Sequence, residues 1–241
     1  MFEKLPLWLR RSLAWSVHLL TGTGAIWGLL TILAIFEGSW RMMILWMIIA
    51  MFVDGVDGML ARFFHVNEYA NTIDGGLLDN MVDYINYVLV AALIIIKAPN
   101  LVPAGFELAV ACSILLTSGY QFTQVDAKTD NDSYFFKGFP SVWNFLVLYL
   151  LLLGLNPWIN LVLLIAGNIL IFVPVKYIYP TRNTRLRRLT LGLTYLCAAI
   201  GVWGLLQYPN VPQWVILVAI IYSIYYALLS FFSKIGAVKS A

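Results

Sequence analysis

Charge is what this sequence has least of. Only 11% of its 241 residues are Asp, Glu, Lys or Arg, far below the share in an ordinary soluble domain, and the mean hydropathy is +0.84. That scarcity excludes a water-soluble globule and leaves no polar stretch long enough for a separate soluble domain. Cysteine is nearly missing as well: Cys112 and Cys197 fall in apolar runs far apart in the chain. This argues against a disulfide framework or a thiolate metal centre and leaves both as packing residues. No convincing internal repeat is present, which argues against an inverted-repeat transporter. A cleavable signal is not expected either, because the basic start up to Arg11 runs into a full-length apolar span instead of a short apolar core with a small-residue cleavage site.

What is present is a succession of apolar runs, each long enough to cross a bilayer. They predict an all-α polytopic bundle and a single integral domain over residues 1–241, with eight spans at roughly 15–36, 40–63, 75–97, 103–123, 141–155, 158–178, 189–207 and 212–233. On that reading the connections alternate in basic residues. Of the 15 Lys and Arg, only Arg41 and Lys97 fall on one side, so the other side is expected to be cytoplasmic, with both termini there. Residues 2–17 mix Leu, Trp, Lys and Arg in the manner of an interfacial helix lying on the cytoplasmic leaflet. Trp40, Trp158 and Trp203 mark membrane edges.

Against this apolar background stand four aspartates, in the order Asp54-x-x-Asp57-Gly58-x-x-Ala61-Arg62, twelve residues, then Gly75-x-x-x-Asp79-x-x-x-Asp83. A carboxylate inside a membrane is costly, so four together call for a cation or a function. Spacings of three and four put each pair on one face of its helix, and an antiparallel arrangement of the second and third spans brings the pairs together near their cytoplasmic ends. Packed carboxylates need compensating charge, and an all-oxygen set suits hard divalent ions, Mn²⁺ or Mg²⁺. Two ions about 3.5–4 Å apart fit best. Gly58, Ala61 and Gly75 leave room for a flat group against the backbone, and Arg62 offers a donor fork to phosphate. Two other readings compete: a polar network that merely joins helices, and a divalent-cation transporter using the same aspartates as its pathway.

The pattern resembles the signature of the CDP-alcohol phosphotransferase family, D-x-x-D-G-x-x-A-R followed after a spacer by G-x-x-x-D-x-x-x-D, with every fixed position present. The spacer departs from the commoner eight residues: here it is twelve, and Asn71 stands where the usual glycine would fall. The longer spacer, the eight spans and the segment 126–144 are similar to the bacterial phosphatidylcholine synthase branch of that family. The resemblance implies transfer of a phosphatidyl group from CDP-diacylglycerol to choline with release of CMP, in a bacterial inner membrane and with the site at the cytoplasmic side. It implies metal ligation by Asp54, Asp57 and Asp79. Asp83 would sit near the metals and also act as the general base, and Asp54, Gly58, Ala61, Arg62 and Gly75 would border CDP and its phosphates. A homodimer is expected on the same ground, and no nucleic acid partner. Within the family, serine, inositol or glycerol phosphate is the alternative acceptor.

A quaternary ammonium has no donor hydrogen and calls for aromatic faces. Tyr84, Tyr87 and Trp143 are candidates for choline, beside other aromatics of the segment 134–139. Arg182 and Arg185 belong to a basic cluster that fits either a positive-inside anchor or contact with lipid phosphate. Gly24 and Gly28 allow close helix approach. His18 and Asn144 are read as facing a cavity or packing between helices, His65 as a solvated loop residue, and Met42, Met43, Met47 and Met51 as a flexible apolar face.

Overall fold

A computed structural model of the chain describes residue 2 and residues 5–124, 135–137, 141–173, 176–178, 187–208 and 210–238. Arg182 and Arg185 lie outside the described residues. The helices are α1 (Leu7–Phe36), α2 (Trp40–Phe63), α3 (Val66–Tyr69), α4 (Gly75–Asp83), α5 (Val90–Lys97), α6 (Glu107–Thr123), α7 (Trp143–Leu153), α8 (Pro157–Phe172), α9 (Arg187–Leu205) and α10 (Gln213–Val238). A π-helical segment, Tyr84–Leu89, joins α4 to α5 in one rod. Two three-residue strands, β1 (Phe135–Lys137) and β2 (Lys176–Ile178), pair antiparallel. This small ribbon qualifies the all-α expectation.

Local sequence sets the ends of the elements. α1 stops in a Schellman turn: Gly38 adopts φ 68°, which glycine enters without penalty, the Gly38 N–H donates to the Ile35 carbonyl and the Ser39 N–H to the Ala34 carbonyl. The chain thus reverses within a few residues, and α1 and α2 pack as an antiparallel pair. Asp74 caps α4 by accepting from the Leu77 N–H at 3.0 Å, and Asn156 caps α8 with Pro157 at the first helical position.

The buried face of α1 is made of small and polar groups, among them Ala14, His18, Thr21, Gly24, Gly28 and Thr31, whereas Leu19, Ile26, Leu29 and Leu33 point outward. This inversion of a soluble helix is what a lipid solvent demands: large apolar side chains face the acyl chains, and small ones let backbones meet. Gly24 and Gly28 show the close approach directly. A Cβ at Gly24 would overlap Val82 Cγ1, and one at Gly28 would sit 2.8 Å from Ile85 Cγ2. The two glycines therefore serve packing of α1 on the α4–α5 rod within the chain.

The main core lies between α1, α2, α5, α6, α7 and α8, around Met43, Ile44, Met47, Ile94, Ile95, Trp143 and Leu164. Of the methionine face, Met43 and Met47 are buried there and Met42 is exposed. Between α6 and α8 the Thr117 hydroxyl donates to Asn168 Oδ1 at 2.6 Å, an interhelical bond worth about 0.6 kcal/mol in lipid.

Two sequence expectations change, the separate interfacial helix and the packing of Cys112. The interfacial helix over residues 2–17 is not separate, because α1 runs unbroken through 30 residues from Leu7 with no glycine or proline between Leu7 and Thr21 to bend it. Among the described residues, three helices are long and apolar enough to cross a membrane, α1, α2 and the rod Gly75–Lys97. Of the rest, α7, with 11 residues, rises only about 16 Å, about half the hydrocarbon thickness, since Gly154 at φ 55° ends it. Cys112 is exposed on α6 instead of packed.

Candidate functional site

The site begins with α2. Asp54 and Asp57, one turn apart near its C-terminal end, face the rod, where Asp79 sits one turn inside α4. One carboxylate oxygen from each of Asp54, Asp57 and Asp79 lies within 4.8 Å of the others. Asp57 is 6% exposed and the other two are half-buried. Three carboxylates this close in a low-dielectric setting repel strongly unless a cation stands among them. The donor set is all carboxylate oxygen with no imidazole or thiolate, so it fits Mg²⁺ or Mn²⁺, ions that accept a few carboxylates and keep positions for phosphate oxygens.

Asp83 falls outside that group of three. With Asp54 it lines an adjacent cavity of about 10 Å³, together with Met47, Ala50, Met51, Asn86, Tyr87 and Asn144. The fourth carboxylate therefore borders the cluster through the cavity it shares with Asp54. That division suits two roles, charge binding by three aspartates and proton transfer by the fourth.

Neighbouring helices fix the acidic groups. The Thr21 hydroxyl of α1 hydrogen-bonds the Asp57 carboxylate, and the Tyr87 hydroxyl donates to Asp54 Oδ2 at 2.6 Å. His18 Nε2 donates to the Ala70 carbonyl at 3.1 Å, which ties α1 to the turn carrying the chain from α3 to α4. The Asn86 carboxamide donates to the Gly24 and Val82 carbonyls at 3.0 and 3.1 Å. Thus a single stripe of α1, His18, Thr21, Gly24 and Gly28, touches both acidic helices and the corner between them.

The corner itself contains α3, one helical turn entered through His65 in the left-handed region at φ 49°. His65 is exposed and stacks on Phe2 with centroids 5.9 Å apart. Tyr69 of α3 accepts from Arg10 Nη1 at 3.1 Å. The twelve-residue spacer accordingly forms a folded and anchored element.

Placement of the remaining candidates is mixed. Gly58 is open except for Arg62 Nη1, 3.7 Å from where its Cβ would be, so it does leave space beside Asp57. Arg62 is exposed at the end of α2. Ala61 packs against the small cluster Ala14, Val17, Val66 and Ala70, and a Cβ on Gly75 would meet the His18 ring at 3.0 Å. At both positions smallness also serves the packing against α1. Tyr84 turns toward α6, its hydroxyl donating to the Leu115 carbonyl at 2.7 Å. Trp143 is wholly buried, with Nε1 donating to Ser118 Oγ at 2.8 Å and the ring against Gly167. The structure does not bring Tyr84 or Trp143 to the cavity. Tyr87 and Asn144 do line it, and Asn144 Oδ1 accepts from the following Phe145 N–H at 2.8 Å.

Sequence reasoning missed Thr21 and Asn86. Their signal was modest but real: Thr21 stands one turn from both His18 and Gly24 in an otherwise apolar run, and Asn86 is three residues beyond Asp83.

Comparison with known proteins bears on this geometry. Residues 17–173 match the model of the CDP-alcohol phosphatidyltransferase family. The chain is 39% identical over 203 residues to a phosphatidylcholine synthase of Legionella pneumophila, covering 83% of this chain and 79% of that protein. It is 38% identical over 190 residues to one of Borreliella burgdorferi, covering 79% and 80%. To one of Rhizobium johnstonii it is 34% identical over 227 residues, covering 92% and 93%.

Proposed function

The chain belongs to the CDP-alcohol phosphatidyltransferase family, and from that membership we propose that it is a phosphatidylcholine synthase, a membrane enzyme transferring the phosphatidyl group of CDP-diacylglycerol to choline with release of CMP. The observation that carries the reading is the convergence of Asp54, Asp57 and Asp79 at the family's motif positions. The choice of choline follows relatives of that name, which align across as much as 92% of the chain.

The chemistry follows from what each residue can do. Asp54, Asp57 and Asp79 would hold the divalent ion or ion pair, which when bound would neutralise charge on the diphosphate oxygens. Asp83, beside the cluster, takes the proton from the choline hydroxyl as its oxygen attacks the phosphorus of the phosphatidyl group. The bond from that phosphorus to the bridging oxygen of the diphosphate breaks, and CMP leaves with that oxygen. Gly58 leaves the backbone of α2 accessible to CDP beside Asp57, and exposed Arg62 adds a cation for phosphate. The half-exposed position of Asp54 and Asp79 suits a substrate with a water-soluble head and a diacylglycerol tail that stays in the leaflet.

The reading includes a site at the cytoplasmic side of a bacterial inner membrane, supported by the one-sided distribution of Lys and Arg, and a homodimer, supported by the family resemblance. The test is direct. Purified protein with CDP-diacylglycerol and Mn²⁺ is given choline, serine, inositol or glycerol phosphate in separate reactions. CMP release with choline alone is expected, and release with another alcohol but not choline refutes the assignment.

A further inference from the structure

We infer that Tyr87 is a positioning residue that orients the Asp54 carboxylate for metal binding, aimed there by the π-helical turn between α4 and α5. The inference rests on the proposed metal-centre reading, in which Asp54 is a ligand.

Three observations support it. First, the Tyr87 hydroxyl donates to Asp54 Oδ2 at 2.6 Å, a length typical of a charge-assisted bond from a hydroxyl to a carboxylate. Holding one oxygen fixes the plane of the carboxylate and so the direction of every lone pair on it. Second, the tyrosine is itself held: its ring stacks on Phe145 of α7 at 6.2 Å and 20°. The residue before it, Asn86, is pinned to the Gly24 and Val82 carbonyls. Third, the space in front of Tyr87 measures only about 10 Å³, room for roughly one water and far too little for a trimethylammonium group. The ring therefore closes the inner end of the site and does not cage choline.

The π turn explains the aim. In a regular α-helix each step of four residues turns the side chain by about 40° beyond a full revolution, so the series Asp79, Asp83, Tyr87 would drift steadily around the rod. The wider turn of Tyr84–Leu89 reverses that drift between Asp83 and Tyr87. Tyr87 thereby returns toward the face of Asp79 and meets Asp54 on α2. Partners of metal ligands placed in this way typically affect metal affinity 10- to 100-fold.

The experiment titrates Mn²⁺ into the purified full-length chain without CDP-diacylglycerol or choline, following free Mn²⁺ by electron paramagnetic resonance. Tyr87→Phe keeps the ring and removes the donor. Its Mn²⁺ dissociation constant is expected to rise about tenfold, a larger change than any in the KM for choline. Phe145→Leu, which keeps the hydroxyl but removes the stack, should shift the same constant in the same direction by about two- to threefold, and it decides the matter if Tyr87→Phe does not purify as a folded protein. Unchanged Mn²⁺ affinity in Tyr87→Phe, with a raised KM for choline, overturns the inference and returns Tyr87 to the acceptor site. Asp57→Asn separates the two levels: if it binds Mn²⁺ as the natural chain does, the metal-centre reading itself falls, and the role of Tyr87 with it.

Discussion

The α1–α2–rod assembly and the α9–α10 hairpin both bring helices close at a glycine, Gly204 against Val215 in the hairpin, and differ in the polar groups they join. In the first, Gly24 and Gly28 bring backbones together, and the close approach lets Thr21, His18 and Asn86 reach charged or carbonyl partners across the interface. In the second, hydroxyls pair with hydroxyls: Thr190 with Tyr225 at 3.0 Å and Thr194 with Tyr222 at 2.6 Å. No charged residue occurs between 190 and 225. The family match ends at residue 173, before the hairpin begins. Charge is thus admitted where polar side chains of neighbouring helices supply partners for it, and neutral pairs serve in the hairpin.

The contrast can be broken most severely at the aspartates. Asp57→Asn removes one of the three converging carboxylates, and CMP release should fall by about 10³-fold or more, since metal-assisted charge neutralisation contributes several kcal/mol. A rate within tenfold of the natural chain contradicts the assembly described above. Asp83→Asn sharpens the division within the site: turnover should drop by about 10²-fold or more while Mn²⁺ and CDP-diacylglycerol still bind, as isothermal titration can report. A smaller effect is expected from the packing itself. Gly24→Val drives a branched side chain into Val82, and overpacking of this kind costs about 1–3 kcal/mol, to be read as a lowered thermal midpoint in detergent with activity falling in parallel. The smallest effect belongs to the hairpin, where Thr194→Val should cost about 0.6 kcal/mol and leave choline-dependent CMP release unchanged. A large loss of activity there would erase the distinction between the two regions.

These differences also explain what could be read from the residues. Four aspartates at intervals of three and four announce themselves because lipid forbids isolated charge, and their helical spacing determines which faces meet. The close approach at Gly24 and Gly28 was legible from small residues at one-turn spacing, but its partner, the rod, was not. Trp143 and Tyr84 looked like acceptor-site aromatics, but an aromatic ring serves a core as readily as a cage, and only its partners, Ser118 and Leu115, decide. Gly75 illustrates the same limit. Its smallness is evident, yet the group that requires it is the His18 ring, 57 positions earlier in the chain. The π turn was invisible because the change from one hydrogen-bond ladder to the wider one leaves no periodic mark in six apolar and polar residues.

That turn has a consequence for how this chain tolerates genetic change. A π segment is a helix holding one residue more than the regular ladder accommodates. Elsewhere in the rod, deletion of one codon would rotate everything beyond it by about 100°, sending Val90, Ala91, Ile94 and Ile95 out of the core they now fill. Within Tyr84–Leu89, the same deletion restores an ordinary helix and leaves the buried faces of α4 and α5 in phase. The segment thus behaves as a one-residue insertion in the rod, and its removal is expected to give a shortened rod that still folds but no longer directs Tyr87 at Asp54.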